Sequence, residues 1–375
     1  MEFLTLKPEA FGLDISDLSL KIAKLKKKGG SLRLASFGQE EIKPGIIKNG
    51  KLEDPAALSK VIKNSLKKVR GEDLKTKYVV ACLPEEKAFL EIIKMPLMEE
   101  KELKSAVLLE AENYIPLPME QVYLDFEVIP SLSGPSDKME VLIAALPKKI
   151  IDSYVEAIRG ADLFPKALEV ESQSIARALV KNGVSPFPVL LIDLGATRTS
   201  FTIFSGRSLR FTSSISVSSQ GFTKAISNTL KISLAEAENL KLKWGIEGAF
   251  GIGEEKETLK VQNQQKKVFE ALIPSLTDLT EEIKKYIDYY QSHTKEDNLS
   301  RDKREISKII LCGGGARLSG LPEFLSSQLK IPVELGNPWV NILPAPLKEI
   351  PVLSFKESLA YTTALGLALR GLEYD

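Results

Sequence analysis

The stretch VLLIDLGATRTSFTIF, residues 189–204, decides how the rest of the chain is interpreted. An apolar run ends at Asp193, the chain bends at Gly195, and an alternating strand follows. A glycine in such a turn lets backbone N–H groups approach an anion, the hydroxyls of Thr197 and Thr199 add donors, and the acid can hold a hydrated cation beside phosphates. Taken alone, the same pattern is also typical of a hairpin with a polar tip.

Two other segments repeat or complete this pattern. Residues 11–22, FGLDISDLSLKI, place Asp14 where the first stretch has Asp193 and continue with alternating apolar residues. Residues 309–320, IILCGGGARLSG, run a buried strand into three glycines, after which a helix is expected. A glycine run after a strand lets a flat or charged ligand approach the backbone. The order strand, acidic turn, strand, twice, and then strand, Gly-Gly-Gly, helix, resembles the actin-like ATPase superfamily from end to end.

Composition narrows the possible functions. With 375 residues, 43% hydrophobic and 27% charged, the chain is typical of a soluble globular protein of two or more domains. A net charge of +1 gives no overall field that would attract nucleic acid, so no nucleic-acid partner is expected. His293 is the only histidine and lies in a charged segment, residues 292–305, predicted to be a loop, which argues against a Ser-His-Asp triad. Cys82 and Cys312 each lie in an apolar run, which predicts buried thiols in a reducing compartment.

No segment of the sequence is typical of a membrane span. The first residues lack a basic region before an apolar core, and no uncharged apolar run reaches about 18 residues. Residues 356–372, KESLAYTTALGLALRGL, carry charges and many small side chains, which favours a single core helix packed on a sheet. The protein is therefore expected to be cytoplasmic and to reach a membrane only through a partner.

Local signals predict several further elements. Residues 54–69 should form an amphipathic helix with Asp54 as its N-cap and Pro55 in its first turn. The segment Ser185–Pro188 should separate the two halves of the chain. Loops are expected at residues 130–138 and 248–253.

Between Pro84 and Pro147 the chain departs from a repeat of strands and crossover helices and predicts strand, helix, strand, strand. Residues 95–129, MPLMEEKELKSAVLLEAENYIPLPMEQVYLDFEVI, contain a Met-Pro turn, an E-L-x-x-A helix, its E-A-E-x-Y-I-P-x-P tail and a D-F strand. Together with Asn337-Pro338-Trp339 and the closing ALGLALRGL, this segment closely resembles the PilM family, the cytoplasmic actin-like proteins of type IV pilus assembly.

The resemblance implies an α/β, actin-like ATPase fold with two lobes, each a mixed sheet flanked by helices. It also implies an inserted subdomain of the 1C type that PilM and FtsA proteins share. The implied subdomains are 1A (residues 1–83 and 148–185), 1C (84–147), 2A (186–230 and 306–375) and 2B (231–305).

The resemblance further implies that ATP and Mg²⁺ bind between the lobes. The implied nucleotide and phosphate contacts are Asp14, Ser16, Ser19, Lys21, Asp193, Gly195, Thr197, Thr199, Glu238, Lys241, Gly313, Gly314 and Gly315. Asp14 and Asp193 would hold Mg²⁺ through water. Glu238 and Lys241 are equally explained, without the resemblance, as a surface pair on one helix.

Two positions bear on ATP hydrolysis. Glu171 corresponds to the residue that orients the attacking water, although capping of the helix near Ser172 explains it equally well. Ser16 and Asp17 stand where the family's first turn has a glycine and a small hydroxyl residue. A carboxylate near phosphate costs on the order of a few kcal/mol unless a cation offsets it. Nucleotide is therefore expected to be held mainly by the second half and hydrolysed slowly or not at all.

The implied partner is the N-terminal cytoplasmic peptide of a PilN-like inner-membrane protein, which the protein would link to the pilus motor. The pilus assembly ATPase and self-association are further implied partners. The peptide is expected in a groove between the first lobe and the insertion, lined by Met95, Leu97, Ile115 and Leu117.

Two other functions stay open on the sequence. An FtsA-like filament-forming division protein shares the fold, but such proteins usually end in an amphipathic membrane-targeting helix, and the sequence printed here stops three residues after Leu372. An actin-fold phosphotransferase would need a substrate base and a sugar pocket, for which the sequence contains no convincing motif.

Overall fold

The structure is a computed structural model that describes residues 9–28, 31–132, 137–246, 259–294, 300–343 and 351–373. Within these ranges the strands are β1 (Ala10–Ile15), β2 (Ser19–Lys28), β3 (Ser31–Glu41), β4 (Ile47–Lys48), β5 (Lys51–Leu52), β6 (Arg70–Gly71), β7 (Tyr78–Leu83), β8 (Phe89–Pro96), β9 (Val122–Ile129), β10 (Lys138–Pro147), β11 (Phe164–Val170), β12 (Ser185–Leu194), β13 (Thr199–Gly206), β14 (Ser208–Ile215), β15 (Lys308–Cys312) and β16 (Val333–Leu335). The helices are α1 (Pro55–Lys67), α2 (Glu100–Ala111), α3 (Lys148–Gly160), α4 (Glu171–Leu179), α5 (Ser219–Leu230), α6 (Leu234–Trp244), α7 (Leu259–His293), α8 (Leu321–Leu329), α9 (Phe355–Ser358) and α10 (Thr362–Glu373).

The first large sheet has the strand order β11-β7-β1-β2-β3-β6. Strand β1 pairs antiparallel with β2 and parallel with β7, so the sheet is mixed and β1 lies inside it. Every residue of β1 is buried, because α1 and α3 pack on one face of the sheet and α10 packs on the other. A strand covered on both faces reads as a continuous apolar run, which is why Asp14 stands out near its end.

The second large sheet has the order β14-β13-β12-β15-β16. Strand β12 pairs antiparallel with β13 and parallel with β15, as β1 does with β2 and β7. Helices α5, α6, α7 and α8 contribute to the core on one face of this sheet. The two related halves predicted from the turns at Asp14 and Asp193 are therefore confirmed at the level of strand pairing.

The insertion forms a separate antiparallel sheet, in the order β8-β10-β9. Helix α2 covers one face through Leu103, Val107 and Ala111. The other face packs on the second lobe, where Leu142 joins a cluster that includes Leu191 of β12. The insertion thus contacts the lobe that follows it in the chain.

Other local predictions are confirmed. Asp54 caps α1, because its Oδ1 accepts a hydrogen bond from the N–H of Ala57 at 2.9 Å, and Pro55 opens the helix. Cys82 and Cys312 are buried free thiols. None of the helices in the described ranges has the length and apolarity needed to cross a bilayer.

The closing segment, residues 356–372, is not the single helix that was predicted. Helix α9 ends at Ser358, a 3₁₀ turn follows to Tyr361, and α10 begins at Thr362. The carbonyl of Leu359 accepts a hydrogen bond at 2.9 Å from the N–H of Gly313. The helix is therefore interrupted at the point where it contacts the triglycine turn.

Two other predictions were wrong in detail. His293 ends α7 instead of lying in a loop, and its ring stacks on Tyr289 one turn earlier, with centroids 3.9 Å apart. The segment Ser185–Pro188 already belongs to β12; its pairing with β13 is irregular between Ser185 and Val189, where prolines are tolerated. The predicted loop at residues 248–253 lies outside the described residues, and the loop at 130–138 does so in part.

Candidate functional site

The two acidic turns and the triglycine turn meet at one cavity of about 760 Å³ that is lined from both lobes. The predicted nucleotide-contact residues that line it are Asp14, Ser16, Ser19, Lys21, Asp193, Gly195, Thr197, Glu238, Lys241, Gly313, Gly314 and Gly315, and Glu171 lines it with them. Thr199 does not line the cavity: its side chain is fully buried, and its hydroxyl donates to the carbonyl of Val217 at 2.7 Å.

The repeated strand pairing explains why the acids meet. Asp14 and Asp193 each come one residue before the end of a strand whose parallel neighbour carries a cysteine beside the acid. The Sγ of Cys82 lies 3.4 Å from the Oδ1 of Asp14, and Cys312 is in register with Asp193. Burial, followed by the charge of the adjacent acid, raises the pKa of each thiol well above its usual range. Both thiols therefore stay protonated and are poor nucleophiles.

The first turn forms a network closed on itself. The Nζ of Lys21 lies 3.3 Å from the Oδ2 of Asp14 and donates to the Oγ of Ser19 at 3.0 Å. The hydroxyl of Ser16 donates to the carbonyl of Ser19 at 3.0 Å. Burial lowers the pKa of Lys21, but attraction to Asp14 and Asp193 outweighs it and leaves the pKa above its ordinary value. Lys21 therefore remains a cation inside the cavity.

The positive charge of Lys21 does not balance all of the carboxyl groups around it. Burial and then repulsion by Asp14 raise the pKa of Asp193 to about 6, against the opposing effect of Lys21. Burial and neighbouring carboxylates raise the pKa of Glu171 well above its usual range, and the carboxylate oxygens of Asp14 and Glu171 lie within 4.8 Å of each other. Oxygen donors with unbalanced negative charge fit a divalent cation such as Mg²⁺, which would favour their ionised forms.

The structure does not support the interpretation of Glu171 as the capping residue of the helix near Ser172. The N–H of Ser172 donates to the Oε2 of Glu85 at 3.0 Å, so Glu85 supplies the capping carboxylate of α4. Glu171, the first residue of α4, instead lies at the cavity wall.

The three glycines differ in what they contact. Gly313 has φ of +84°, and a Cβ there would lie 2.0 Å from the Oδ1 of Asp193. A Cβ at Gly315 would lie 2.5 Å from the Cγ of Leu194, whereas a Cβ at Gly314 would meet only Ala360, at 4.0 Å. Gly313 and Gly315 therefore allow the turn to pack on the end of β12, and Gly314 leaves the backbone open to the cavity.

Glu238 and Lys241 lie on α6, which begins with a capping box between Ser233 and Glu236. The side chain of Lys241 is buried, and its Nζ lies 2.7 Å from the Oε2 of Glu238 and donates to the hydroxyl of Thr223 on α5 at 2.8 Å. Burial lowers the pKa of Lys241, while Glu238 opposes that shift. The pair thus joins two helices at the cavity wall and is more than a surface pair on one helix.

The sequence model for the family described as "Type IV pilus assembly protein PilM" matches residues 12–372 of this chain. The chain belongs to the PilM family. It is similar to a solved chain titled "PilM-PilN type IV pilus biogenesis complex", with 28% identity and a TM-score of 0.76, over 98% of this chain and 99% of that one. Type IV pilus assembly is therefore the process in which this family member takes part.

More distant relatives share the fold. The cell division protein FtsA of Streptococcus pneumoniae serotype 2 is 23% identical over 351 residues, which covers 87% of this chain and 75% of that protein. The crystal structure of "MreB5 of Spiroplasma citri bound to ADP" has 12% identity and a TM-score of 0.53, over 96% of this chain and 95% of that chain. The predicted actin-like fold, with two lobes of mixed sheet and helices, is confirmed.

The sequence analysis overlooked three residues that line the cavity of this PilM-family chain: Gly50, Glu86 and Arg198. Arg198, between the two threonines of the second turn, lies 2.9 Å from the Oε1 of Glu86 and 3.8 Å from the Oδ2 of Asp17. Gly50 donates its N–H to the Oδ1 of Asp17 at 3.0 Å. The dipeptide Asn49-Gly50, with φ of 48° and 70°, is a hairpin signal that would have located the turn between β4 and β5. Asp17 therefore accepts a hydrogen bond and lies beside a cation. Both offset the repulsion that its charge was expected to exert on phosphate.

The four predicted groove residues do not share one open surface. Met95 and Ile115 are buried at 4% and 5% exposure in the core between α2 and the insertion's sheet, and Leu117 packs partly buried against that core. Only Leu97 is largely exposed, at 63%. The prediction that these residues line a groove is wrong, because three of them complete the insertion's own core.

A second cavity, of about 340 Å³, lies instead between the insertion and the second lobe. Its apolar wall includes Leu90 and Ile92 of β8, Leu142 of β10 and Phe211 of β14. Both β8 and β14 are edge strands of their sheets. The cavity therefore lies where two sheets present an edge to each other.

Proposed function

We propose that this protein is a nucleotide-binding scaffold of type IV pilus assembly that works at the cytoplasmic side of the inner membrane. The observation that supports it most is the meeting of two acidic turns, a triglycine turn and the α6 lysine at one cavity. ATP is the proposed nucleotide. The turns at Asp14 and Asp193 would hold its phosphates and, through water, Mg²⁺, while Gly314 and the Glu238–Lys241 pair would border the nucleoside.

The bound Mg²⁺ would neutralise phosphate charge, and the chain's own residues would position the nucleotide. Hydrolysis is expected to be slow, because Ser16 adds a Cβ in the first turn, where the backbone would have to approach the phosphates. Nucleotide occupancy, more than turnover, is then the property that the scaffold would use.

The proposed partner is the N-terminal cytoplasmic peptide of a PilN-like inner-membrane protein, which would hold this protein at the membrane. The similar solved structure is titled as a complex of PilM with PilN. Since the predicted groove residues are mostly core, we place the peptide in the second cavity. An extended peptide can add a strand to a sheet edge while its alternate side chains fill apolar pockets. The second cavity supplies such an apolar wall beside the edge strands β8 and β14.

Fluorescence anisotropy with a labelled N-terminal peptide of the cognate PilN-like protein tests this placement. Ile92→Glu puts a charge into the cavity wall and should weaken binding about tenfold or more, since buried unpaired charge is costly. Leu109→Glu is the matched control, because Leu109 is 72% exposed on α2 and does not line the cavity. Weaker binding in the control alone, or in neither variant, would contradict the placement.

Titration of fluorescent ATP and ADP derivatives with Mg²⁺ tests the nucleotide site. Saturable binding that requires Mg²⁺ is expected, with phosphate release much slower than nucleotide exchange. Absence of binding would reject ATP as the ligand, and rapid turnover would reject the scaffold role.

A further inference from the structure

The guanidinium of Arg198 crosses the cavity from one lobe to the other. Arg198 belongs to the second-lobe turn between β12 and β13, whereas Asp17 and Glu86 belong to the first lobe and to the start of the insertion. The guanidinium lies 2.9 Å from Glu86 and 3.8 Å from Asp17. The three side chains are only 19%, 11% and 10% exposed, in the order Arg198, Glu86, Asp17. In this partly dry setting the ion pairs are stronger than surface pairs.

The two acids are anchored, and the arginine is not anchored in the same way. Gly50 donates its N–H to Asp17, and a Cβ at Gly50 would lie 2.3 Å from the Oε1 of Glu86, so both carboxylates pack on this glycine. The hydroxyl of Tyr154 donates to the carbonyl of Gly50 at 3.1 Å and ties that hairpin to α3. Arg198 reaches the acids from the other lobe on a long side chain with several rotatable bonds, so it can leave them without breaking the hydrogen bond from Gly50 to Asp17.

Among the described residues, four other cations line the cavity: Lys224 and Arg317 are exposed, and the two that are buried or half-buried have competing partners within their own lobe. Lys21 contacts Asp14 and Ser19. Lys241 contacts Glu238 and two hydroxyl-bearing residues of α5. The planar guanidinium of Arg198 suits phosphate, which can replace two carboxylates by charge-assisted hydrogen bonds.

We infer that Arg198 is a phosphate-binding residue that Asp17 and Glu86 hold until the phosphates of a nucleotide replace them. This inference rests on the proposed nucleotide site. Glu86 lies three residues before β8, which begins at Phe89 and lines the second cavity. Transfer of Arg198 to phosphate therefore frees the carboxylate of Glu86 at the base of the insertion. The first strand or helix expected to change on nucleotide binding is β8.

Affinities for fluorescent ADP and ATP with Mg²⁺ test the exchange. Arg198→Ala should weaken binding about 10- to 100-fold, because a charge-assisted contact is lost and two acids remain unpaired beside the phosphates. Arg198→Lys, which keeps the charge without the planar fork, should lose less. Glu86→Gln should tighten binding about 2- to 5-fold, because it weakens the grip on the arginine. Thermal unfolding of each variant confirms that it is folded.

Arg301→Ala and Glu305→Gln are the matched controls, since this pair lies on the surface with side chains 83% and 49% exposed. Opposite effects of Arg198→Ala and Glu86→Gln support the exchange. Weaker binding in both variants would mean that the pair is a static contact between the lobes. Unchanged binding in Arg198→Ala would mean that the arginine does not touch phosphate. Either result overturns this inference and leaves the proposed nucleotide site standing. If the wild-type protein binds no nucleotide, the proposed site itself fails.

Hydrogen exchange of the backbone amides from Phe89 to Met95 provides a readout that does not depend on affinity. Nucleotide should change their exchange in the wild-type protein, and Glu86→Gln should show the changed pattern without nucleotide. Identical exchange in all these states would overturn the link from Arg198 to β8.

Discussion

The two acidic turns occupy equivalent places in the two sheets but differ in how their charges are balanced. In the first turn Asp14 lies 3.3 Å from Lys21, and the hydroxyl of Ser16 hydrogen-bonds both the carbonyl and the hydroxyl of Ser19. In the second turn Asp193 has a pKa raised to about 6 by burial and by Asp14, and the turn's own cation, Arg198, reaches away to the other lobe. The two turns thus share a strand pairing but differ in where the turn's own cation lies, beside the acid in the first and at the other lobe in the second.

The difference teaches which turn depends on a ligand. In the first turn Asp14 has a counter-charge within the turn itself, Lys21. The second turn keeps a partly buried acid whose ionised form needs a cation, and an arginine whose present partners compete with phosphate. We therefore expect substitutions in and around the second turn to have larger effects on ligand binding than equivalent substitutions in the first.

The largest expected effect comes from the glycine that supports the second turn. Gly313→Ala places a Cβ 2.0 Å from the Oδ1 of Asp193 at a residue with φ of +84°. The strain and the displaced carboxylate should cost roughly 2 kcal/mol or more in the free energy of unfolding. Gly314→Ala is the matched control, because its Cβ would meet only Ala360, at 4.0 Å. Chemical denaturation measures both, and equal stability of the two variants would contradict the packing argument.

The second prediction concerns the acid itself. Asp193→Asn should weaken Mg²⁺-dependent nucleotide binding by about two orders of magnitude, because a cation ligand and its charge are lost. The same change removes a carboxylate that is costly to ionise, so it should stabilise the nucleotide-free protein above pH 6 by on the order of 1–2 kcal/mol. Calorimetry and thermal unfolding without nucleotide provide the two readouts. A variant that is both less stable and fully competent to bind would refute the account of the second turn.

The third prediction follows from the pKa of about 6 at Asp193. A carboxyl whose pKa is raised in the folded state contributes stability below its unfolded pKa, and that contribution is lost as pH rises to about 6. Cation binding has the opposite dependence, because it needs the ionised acid. Mg²⁺-dependent affinity should therefore fall about tenfold between pH 7 and pH 5, and much less in Asp193→Asn. Equal pH dependence in both proteins would assign the titration to another group.

The smallest expected effect belongs to the first turn. Ser16→Gly restores the glycine usual in the family and removes hydrogen bonds of 3.0 Å to the backbone and hydroxyl of Ser19. Opening the closed network should tighten nucleotide binding only about 2- to 3-fold, since each such bond is worth about 1 kcal/mol. Nucleotide titration measures the change, with Ser16→Ala separating loss of the hydroxyl from loss of Cβ. Tightening as large as the loss in Asp193→Asn would mean that the first turn governs binding.

Local patterns located the repeat and many of the elements, but not the interruption between α9 and α10. The order strand, helix, strand, strand predicted between Pro84 and Pro147 is the order of β8, α2, β9 and β10 in the structure. Asp54 and Pro55 located the start of α1, because a cap and a proline act within one turn. The acids at Asp14 and Asp193 and the triglycine turn were each recognised near the end of a buried strand, and the family resemblance implied that they meet between the lobes.

What the sequence by itself determined depends on neighbours along the chain: the strands that carry the two acidic turns, the cap of α1 and the turns themselves. Tertiary structure alone decided that Glu85, not Glu171, receives the N–H of Ser172, 87 residues away. It also buried Met95 and Ile115 in the insertion's core and brought Arg198 to Asp17 and Glu86. The physical reason is that burial and charge pairing depend on which distant segments meet, and residues far apart in the chain carry no local signal of that contact.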